Sequence, residues 1–198
     1  MQKYPLFLEK LLRYLQKMPG VGRKTAERFA FEMTQWEKAE LANFAQVVSD
    51  VTTSLSFCSD CGALQETTCP FCSGKNRDPH RLCVVASPRD VFFIEESGSF
   101  HGYYHVIERL LSPLEGVDAR YLRLEALERR LTNTPIQEVI FAIESTVEGD
   151  ATTLFLKQHL QKFSVTTSRL AMGIPLGLRL EYADGGTLAR ALSQRQEV

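Results

Sequence analysis

Two closely spaced cysteine pairs constrain what this chain can fold into more than any other feature of its sequence. They read Cys58-x2-Cys61-x7-Cys69-x2-Cys72. Each pair can place two thiolates on one metal ion, and the insert is short enough to bring the pairs together. The insert, GALQETT, is too poor in apolar side chains to form a core. We therefore expect a bound metal to fold this segment.

Four sulfur ligands in tetrahedral geometry select zinc. The spacing implies no open coordination position, which favours one structural Zn²⁺ per chain over a catalytic ion. A redox-active CxxC is the alternative for a single pair, but two adjacent pairs are better explained by one metal. An iron–sulfur cluster has no further support in the sequence. We interpret the fifth cysteine, Cys83, as a small buried hydrophobic residue.

The sequence contains no segment expected to enter or cross a membrane. No apolar run reaches the length of a transmembrane helix. The N-terminal stretch is interrupted by Glu9, Lys10 and Arg13 and lacks a small-residue cleavage site, so it does not resemble a signal peptide. We therefore expect a cytoplasmic protein, in which reduced cysteines favour metal binding over disulfides.

A proline–glycine turn separates two helical segments near the N-terminus. Residues 5–17 and 23–34 show helical periodicity, and MPGVG between them cannot continue a helix. Gly20 and Gly22 let backbone N–H groups approach an anion, and the next helix begins near Arg23 with its positive dipole end. A plain turn between helices also explains these glycines.

Lys24 and Arg28 lie four residues apart on one face of that helix and could bracket a DNA backbone. The first 34 residues hold seven Lys and Arg against three Asp and Glu, a charge of +4, whereas the whole chain carries −1. This uneven charge favours local phosphate contacts over indiscriminate nucleic-acid binding, although a solvated helix surface explains it about equally well. Trp36 could stack on a base, but packing in a core or interface is the simpler interpretation.

Strands and helices alternate from Arg81 onward, after a third helix predicted at 37–55. Apolar patterning predicts strands at 82–86, 103–107, 138–143, 164–171 and 178–183, and helices near 88–97, 121–131 and 151–162. This alternation favours an α/β fold with a mostly parallel sheet covered on both faces.

Three carboxylates, Glu144, Glu148 and Asp150, directly follow the buried strand EVIFAI. The carboxyl end of a parallel strand is where open α/β sheets place ligand sites, and these side chains could hold Mg²⁺. Alternatively, they complement the dipole of the helix that follows. The pattern leaves both interpretations open.

Taken in order, these segments resemble the RecR family of recombination mediators. The similarity covers nearly the whole chain and includes MPGVGRKTAERFAF, the four cysteines, LCVVASPRDVFFIE, YHVIERLLSPLEGV, TVEGDATTLFL and GIPLGLRLEYADGGTLARAL. It implies a multidomain α/β chain with four regions. These are a helix-hairpin-helix DNA-binding region at 1–55, a four-cysteine zinc finger at 56–80, a Rossmann-like Toprim domain at 81–175 and a C-terminal segment at 176–198.

The resemblance implies a non-enzymatic protein of recombinational DNA repair that forms homo-oligomeric rings able to encircle DNA. Family members act with RecO, and in some contexts RecF, to load RecA onto single-stranded or gapped DNA coated by SSB. Lys24 and Arg28 match the family's DNA-contacting positions, and we add Gly20, Gly22 and Arg23 from the turn itself. The four cysteines match its zinc ligands. Glu148 lies in the acidic loop that contacts RecO, and we predict partner contacts for Glu144, Glu148 and Asp150.

Two departures from Toprim enzymes argue against catalysis. Topoisomerases and primases carry a glutamate after the first strand and an Asp-x-Asp pair later. Here these positions hold Ala86 and the pair Glu144 and Thr146. Alanine can neither ligate a metal nor move a proton, and metal-assisted phosphoryl chemistry needs several placed carboxylates. We therefore predict no enzymatic activity, and Ala86 also weakens the case for functional Mg²⁺ binding.

Two other functions remain as alternatives to a DNA-binding mediator. A magnesium-dependent nuclease or primase-like Toprim enzyme would cleave DNA and lose that activity with EDTA or Glu144→Ala. A zinc-stabilised adaptor that binds only proteins would fail to bind DNA when loaded with zinc. The basic N-terminal segment speaks against the adaptor.

Overall fold

The structure is a computed structural model that describes residues 3–195, so the ends of the predicted terminal regions, 1–2 and 196–198, lie outside it. The chain divides after Leu55 into two compact units. Three helices form the first unit: α1 (Leu6–Leu15), α2 (Arg23–Met33) and α3 (Lys38–Ser54). These bounds agree with the helices predicted from the sequence.

The first two helices pack against each other around a small apolar core. Leu12 and Leu15 of α1 are buried against Ala26 and Ala30 of α2. The two alanines carry only a methyl group, which lets the leucines approach the α2 backbone closely. Burying each leucine contributes about 1.5–3 kcal/mol. This pairing fixes the turn between α1 and α2, where Gly20 has a φ of +78°.

The third helix exposes its apolar residues in this single chain. None of its residues within Lys38–Ser54 is buried. The exposed apolar side chains are Leu41, Phe44, Val47, Val48 and Val51. Trp36, just before the helix, packs edge-to-face on Phe44 with ring centroids 5.7 Å apart, as expected of a packing residue.

The second unit begins with the cysteine segment and continues into an α/β sheet. The cysteine segment comprises β1 (Ser56–Phe57), β2 (Leu64–Gln65) and α4 (Pro70–Ser73). The elements that follow are β3 (Asp78–Val85), α5 (Pro88–Glu96), β4 (Gly102–Val106), α6 (Leu124–Asn133), β5 (Glu138–Ala142), α7 (Val147–Leu160), β6 (Thr166–Arg169) and α8 (Gly185–Ser193). The last four strands form one sheet in the order β4-β3-β5-β6, and all its pairs are parallel. The predicted multidomain α/β class is confirmed.

The central strand β3 is buried on both faces of the sheet. Leu82 and Val84 pack into one apolar cluster, and Cys83 and Val85 pack into the other. Because the side chains of a strand alternate between faces, a strand covered on both sides must be apolar throughout. Burial raises the pKa of Cys83 to about 12, so this thiol behaves as the small hydrophobic residue predicted.

The prediction of a strand at 178–183 is wrong. Gly177 has a φ of +82°, and the N–H of Leu178 bonds the carbonyl of Pro175, so the chain turns instead of extending. A short 3₁₀ turn then spans Leu180–Tyr182, and its apolar side chains are exposed. Alternating apolar residues indicate a strand only where a neighbouring strand is available for pairing, and the described residues provide none here.

The helix predicted at 151–162 begins earlier, at Val147. The Thr146 hydroxyl accepts a hydrogen bond from the Gly149 N–H at 3.0 Å, which caps the first turn. Across residues 3–195, no helix is both long enough and apolar enough to cross a membrane.

Candidate metal centre and nucleic-acid interface

The four paired cysteines converge on one point. All four Sγ atoms lie within 4.8 Å of one another, with Cys58 and Cys72 at 3.9 Å and Cys61 and Cys69 at 3.4 Å. Three of the side chains are buried and that of Cys72 is half-buried. Sulfur atoms this close can hold a metal ion, as the spacing predicts.

Each cysteine pair is held by a local turn. In the first turn, the Cys58 N–H bonds the Ala63 carbonyl at 2.8 Å, and the Gly62 N–H bonds the Cys58 carbonyl at 2.9 Å. Gly62 has a φ of +79°, a left-handed conformation that favours glycine. The second turn is α4, which begins after Cys69 with a proline at its first position.

The cysteine segment packs into the apolar core of the sheet. Cys58, Cys61 and Cys69 belong to the same buried cluster as Val85 and Tyr104. Phe71 contacts Tyr104 edge-to-face at 5.7 Å, and the Cys61 carbonyl accepts the Val106 N–H at 2.7 Å. The segment therefore has a core to pack against in addition to its sulfur cluster, which the composition of GALQETT did not indicate.

Two arginines contact the cysteine segment from α6 and from the residue before it. The Arg130 Nη2 lies 2.9 Å from the Cys72 Sγ. A hydrogen bond with Cys61, and a weaker one with Arg130, lower the pKa of Cys72, whereas burial raises the pKa of Cys69. Arg123 donates from Nη2 to the Cys58 and Ser59 carbonyls at 3.2 and 2.6 Å. Sequence reasoning missed both arginines, because no motif connects α6 to cysteines so far away in the chain.

The hairpin turn leads into the N-terminal end of α2, which has no side-chain cap. Gly22 precedes α2 with no capping side-chain hydrogen bond, and the first turn of α2 contains no acidic residue. A Cβ added at Gly20 or Gly22 would meet nothing within 4 Å. The start of α2 therefore combines an uncapped, positive dipole end with open space beside its two glycines, which suits an anion.

The predicted basic residues differ in their surroundings. Arg23 and Lys3 both lie 3.3 Å from the Glu27 carboxylate. Lys24 and Arg28 are exposed, and within residues 3–195 neither forms a salt bridge. The Arg28 guanidinium lies 5.5 Å from the centroid of the Phe29 ring. The structure thus places the predicted glycines, Arg23 and Lys24 at one end of α2, with Arg28 one turn further along.

In the acidic turn after β5, two carboxylates are exposed and the third is bound by an arginine. Glu144 and Glu148 are exposed and line an open groove of about 400 Å³ that also contains Arg109. Asp150 instead accepts a hydrogen bond from Arg169 at 2.7 Å and lies 3.5 Å from Arg190. The hydrogen bond from Arg169 lowers the pKa of Asp150.

The acidic turn is a poor fit to magnesium. Ala86, at the end of β3, offers no ligand and lines a separate cavity of about 440 Å³. Arg169 also donates to the Glu144 backbone carbonyl at 3.2 Å, so a guanidinium occupies the turn. Among residues 3–195, the four cysteines are the one group of potential metal ligands that converges.

Comparisons with known proteins cover almost the whole chain. The family described as "RecR, helix-hairpin-helix" matches residues 8–52, the Toprim domain matches 80–171, and "RecR, C-terminal" matches 173–196. The protein named Recombination protein RecR from Chlamydia pneumoniae is 48% identical over 198 residues, covering 98% of each chain. Those of Chlamydia caviae and Protochlamydia amoebophila are each 46% identical, also over 98% of each chain. The chain belongs to the RecR family.

This membership confirms the resemblance seen in the sequence, and the cysteine cluster and parallel sheet have the layout that it implied. The chain is thus a RecR-type recombination protein with a Toprim domain. In this RecR chain, sequence reasoning identified the cysteines and the acidic turn. It missed Arg169, which crosses from β6 to engage Asp150, because strand neighbours cannot be read from chain order.

Proposed function

We propose that this RecR-family chain is a non-enzymatic, DNA-binding mediator of recombinational repair. The observation that carries the proposal is the uncapped, acid-free start of α2, with Lys24 and Arg28 exposed on the same helix. Backbone N–H groups and two cations near one helix end suit phosphate oxygens. Such contacts do not read bases, so single-stranded, double-stranded and gapped DNA would all be held without sequence preference.

The division of labour follows the four predicted regions, 1–55, 56–80, 81–175 and 176–198. The hairpin would hold DNA, the finger would fix the local structure beside the sheet, and the Toprim surface would recruit partners. Such a protein acts at the nucleoid, in the cytoplasm.

The exposed apolar face of α3 supports assembly into a homo-oligomeric ring. Its side chains, Leu41 to Val51, are exposed in the single chain, and a second copy would remove them from water. Several weak DNA sites in one ring act at high effective concentration, so the assembly would bind more tightly than any one subunit.

Glu144 and Glu148 are the proposed contacts for RecO, because their carboxylates are exposed and belong to the acidic turn. Asp150, bound by Arg169, would shape that turn while its neighbours meet the partner. RecF is proposed as a further partner, and RecA and SSB as indirect ones, because the family's role is to help load RecA onto SSB-coated DNA.

The proposed metal is one structural zinc ion bound by Cys58, Cys61, Cys69 and Cys72. The donor set fits, because four sulfur atoms within 4.8 Å of one another suit tetrahedral coordination. The bound ion would cross-link the two turns of the finger.

A magnesium-dependent nuclease or primase is the alternative that the Toprim domain raises. Ala86 and the engagement of Asp150 by Arg169 speak against it. DNA cleavage that is lost with EDTA and with Glu144→Ala would establish the enzyme instead.

The DNA-binding proposal is tested by fluorescence anisotropy of labelled single-stranded and duplex DNA at several salt concentrations. We expect Lys24→Ala/Arg28→Ala to weaken binding at least about tenfold. The variant loses two phosphate contacts at each hairpin. For each hairpin bound to duplex DNA, the plot of log affinity against log salt concentration should therefore become less steep by about two.

A matched control removes one lysine and one arginine from α1, as Lys10→Ala/Arg13→Ala. It lowers the net charge equally but leaves the hairpin intact, so its affinity should stay within about twofold of wild type. Equal losses in both variants would indicate a general charge effect. Unchanged binding by the hairpin variant would remove the hairpin from the mechanism.

A further inference from the structure

Arg130 points a cation at the sulfur cluster. Its Nη2 lies 2.9 Å from the Cys72 Sγ, and its guanidinium lies 5.0 Å from the centroid of the Tyr103 ring. Within residues 3–195, Arg130 forms no salt bridge with a carboxylate. A half-buried guanidinium without a carboxylate partner needs another source of negative charge.

Four thiolates around one divalent ion supply that charge. The ion offsets only half of the thiolate charge, so the centre as a whole stays anionic. A charge-assisted N–H···S contact from Arg130 would compensate part of this excess where water access is limited. Groups that donate to metal ligands in this way commonly set how firmly the metal is held.

Arg123 contacts the first cysteine turn, on the Cys58 side of the cluster. It is the one non-glycine residue with positive φ among residues 3–195, at +51°. This backbone conformation costs about 1–2 kcal/mol, so surrounding contacts must hold it. The holding contacts are the hydrogen bonds to the Cys58 and Ser59 carbonyls. Its guanidinium also packs so closely on Gly62 that a side chain there would displace it.

We propose that Arg130 is a positioning residue of the metal centre, which orients Cys72, offsets the charge of the thiolates and slows loss of the metal. Arg123 holds the first cysteine turn in place while Arg130 acts on the second. The residue before α6 and the last turn of that helix thus support both halves of the finger. This role rests on the proposed metal site.

The test compares the full-length, zinc-loaded wild type with Arg130→Met, Arg130→Lys and the control Arg129→Met. Arg129 directly precedes Arg130 on α6, is exposed, and lies 3.9 Å from the Asp60 carboxylate, not from a cysteine. Zinc transfer to an excess of the chromogenic chelator 4-(2-pyridylazo)resorcinol gives the release rate. We expect Arg130→Met to release zinc about 10- to 100-fold faster, and Arg129→Met to match wild type.

Arg130→Lys keeps the charge, so it should release zinc more slowly than Arg130→Met. Equal rates for those two variants would overturn the electrostatic role.

The absorption spectrum of cobalt-substituted protein separates this role from a general loss of stability. A less stable fold alone would not shift the absorption bands of the bound cobalt. Losing the N–H donor to Cys72 raises the energy of the sulfur lone pair, so the sulfur-to-cobalt charge-transfer band should shift to longer wavelength in Arg130→Met. An unshifted band together with an unchanged release rate would overturn the role of Arg130 alone. A wild-type protein that takes up neither zinc nor cobalt would overturn the metal centre itself.

Discussion

His105 is a fully buried polar side chain on β4. Its Nε2 lies 3.1 Å from the Leu122 carbonyl, and the described residues provide no partner for Nδ1. The ring is therefore neutral, with its proton on Nε2. Burial, together with the smaller effect of the nearby positive charges of Arg123 and Arg130, lowers the pKa of His105 to about 4.

This histidine predicts a loss of stability in weak acid. The unfolded chain takes up the proton near pH 6.5 and the folded chain only near pH 4, so the unfolded state binds more protons between these values. The stabilisation is complete above pH 6.5 and is lost as pH falls towards 4, about 3 kcal/mol in all. Urea unfolding at a series of pH values measures it.

His105→Gln provides the control, since its amide can donate to the Leu122 carbonyl but does not titrate. Its free energy of unfolding should change less between pH 6.5 and 4 than that of wild type. The same slope in both proteins would show that other groups dominate acid unfolding.

At the residue scale, the sequence identified side chains whose chemistry comes from local spacing. The four cysteines form two short motifs, so their convergence could be predicted. Arg130 lies 58 residues beyond Cys72, and Arg169 lies 19 beyond Asp150. An arginine is usually a solvated surface residue, and nothing local distinguishes these two from the others.

Among the elements, α7 shows how the acidic turn is built. Thr146 caps its first turn, and Glu148 and Asp150 lie at its positive dipole end. Gly149 lies against the backbone carbonyl of Glu144, so there is no room for a Cβ at this position. The turn and the helix are therefore locked together by a glycine that the sequence pattern did not distinguish.

Gly149→Ala should destabilise the protein by about 1–3 kcal/mol, because the added methyl group would have to displace backbone. Thermal unfolding followed by circular dichroism measures the loss. Gly185→Ala is the matched control, since a Cβ at this α8 position would meet nothing within 4 Å. Equal stability of Gly149→Ala and wild type would mean that the turn can rearrange freely.

The elements that the sequence predicted well are those with a strong local signal. The apolar run at 82–86 belongs to β3, and the pattern at 23–34 matches α2. The segment 178–183 has the alternation of a strand but turns at Gly177 and has no neighbouring strand. Strand pairing is a long-range property, so alternation alone could not decide it.

For the molecule as a whole, the exposed face of α3 predicts self-association. Phe44→Glu/Val48→Glu places two charges on that face and should shift the protein towards smaller species, because burying unpaired charges is unfavourable. Size-exclusion chromatography with light scattering measures the mass. A control, Glu40→Gln/Gln46→Glu, changes polar residues of α3 and should leave the mass unchanged. Unchanged mass in the Phe44→Glu/Val48→Glu variant would show that assembly uses another surface.

The overall organisation could be predicted because several signals occur in a fixed order along the chain. The turn, the cysteine pairs and the strand–helix alternation together indicated the family that the comparisons confirm. How the cysteine segment packs on the sheet could not be predicted. Its contacts with Val85 and Tyr104 depend on the folded sheet.

The contact between Arg130 and Cys72 also has a consequence for synthesis of the chain. The arginine leaves the ribosome 58 residues after the cysteine. At common elongation rates this delay is roughly 3 to 12 seconds. During that interval a nascent chain would hold its metal through sulfur alone, and a chelator acting then would compete with an incomplete site. Metal bound during that interval would thus be lost more readily than metal bound after α6 has folded against the cysteines.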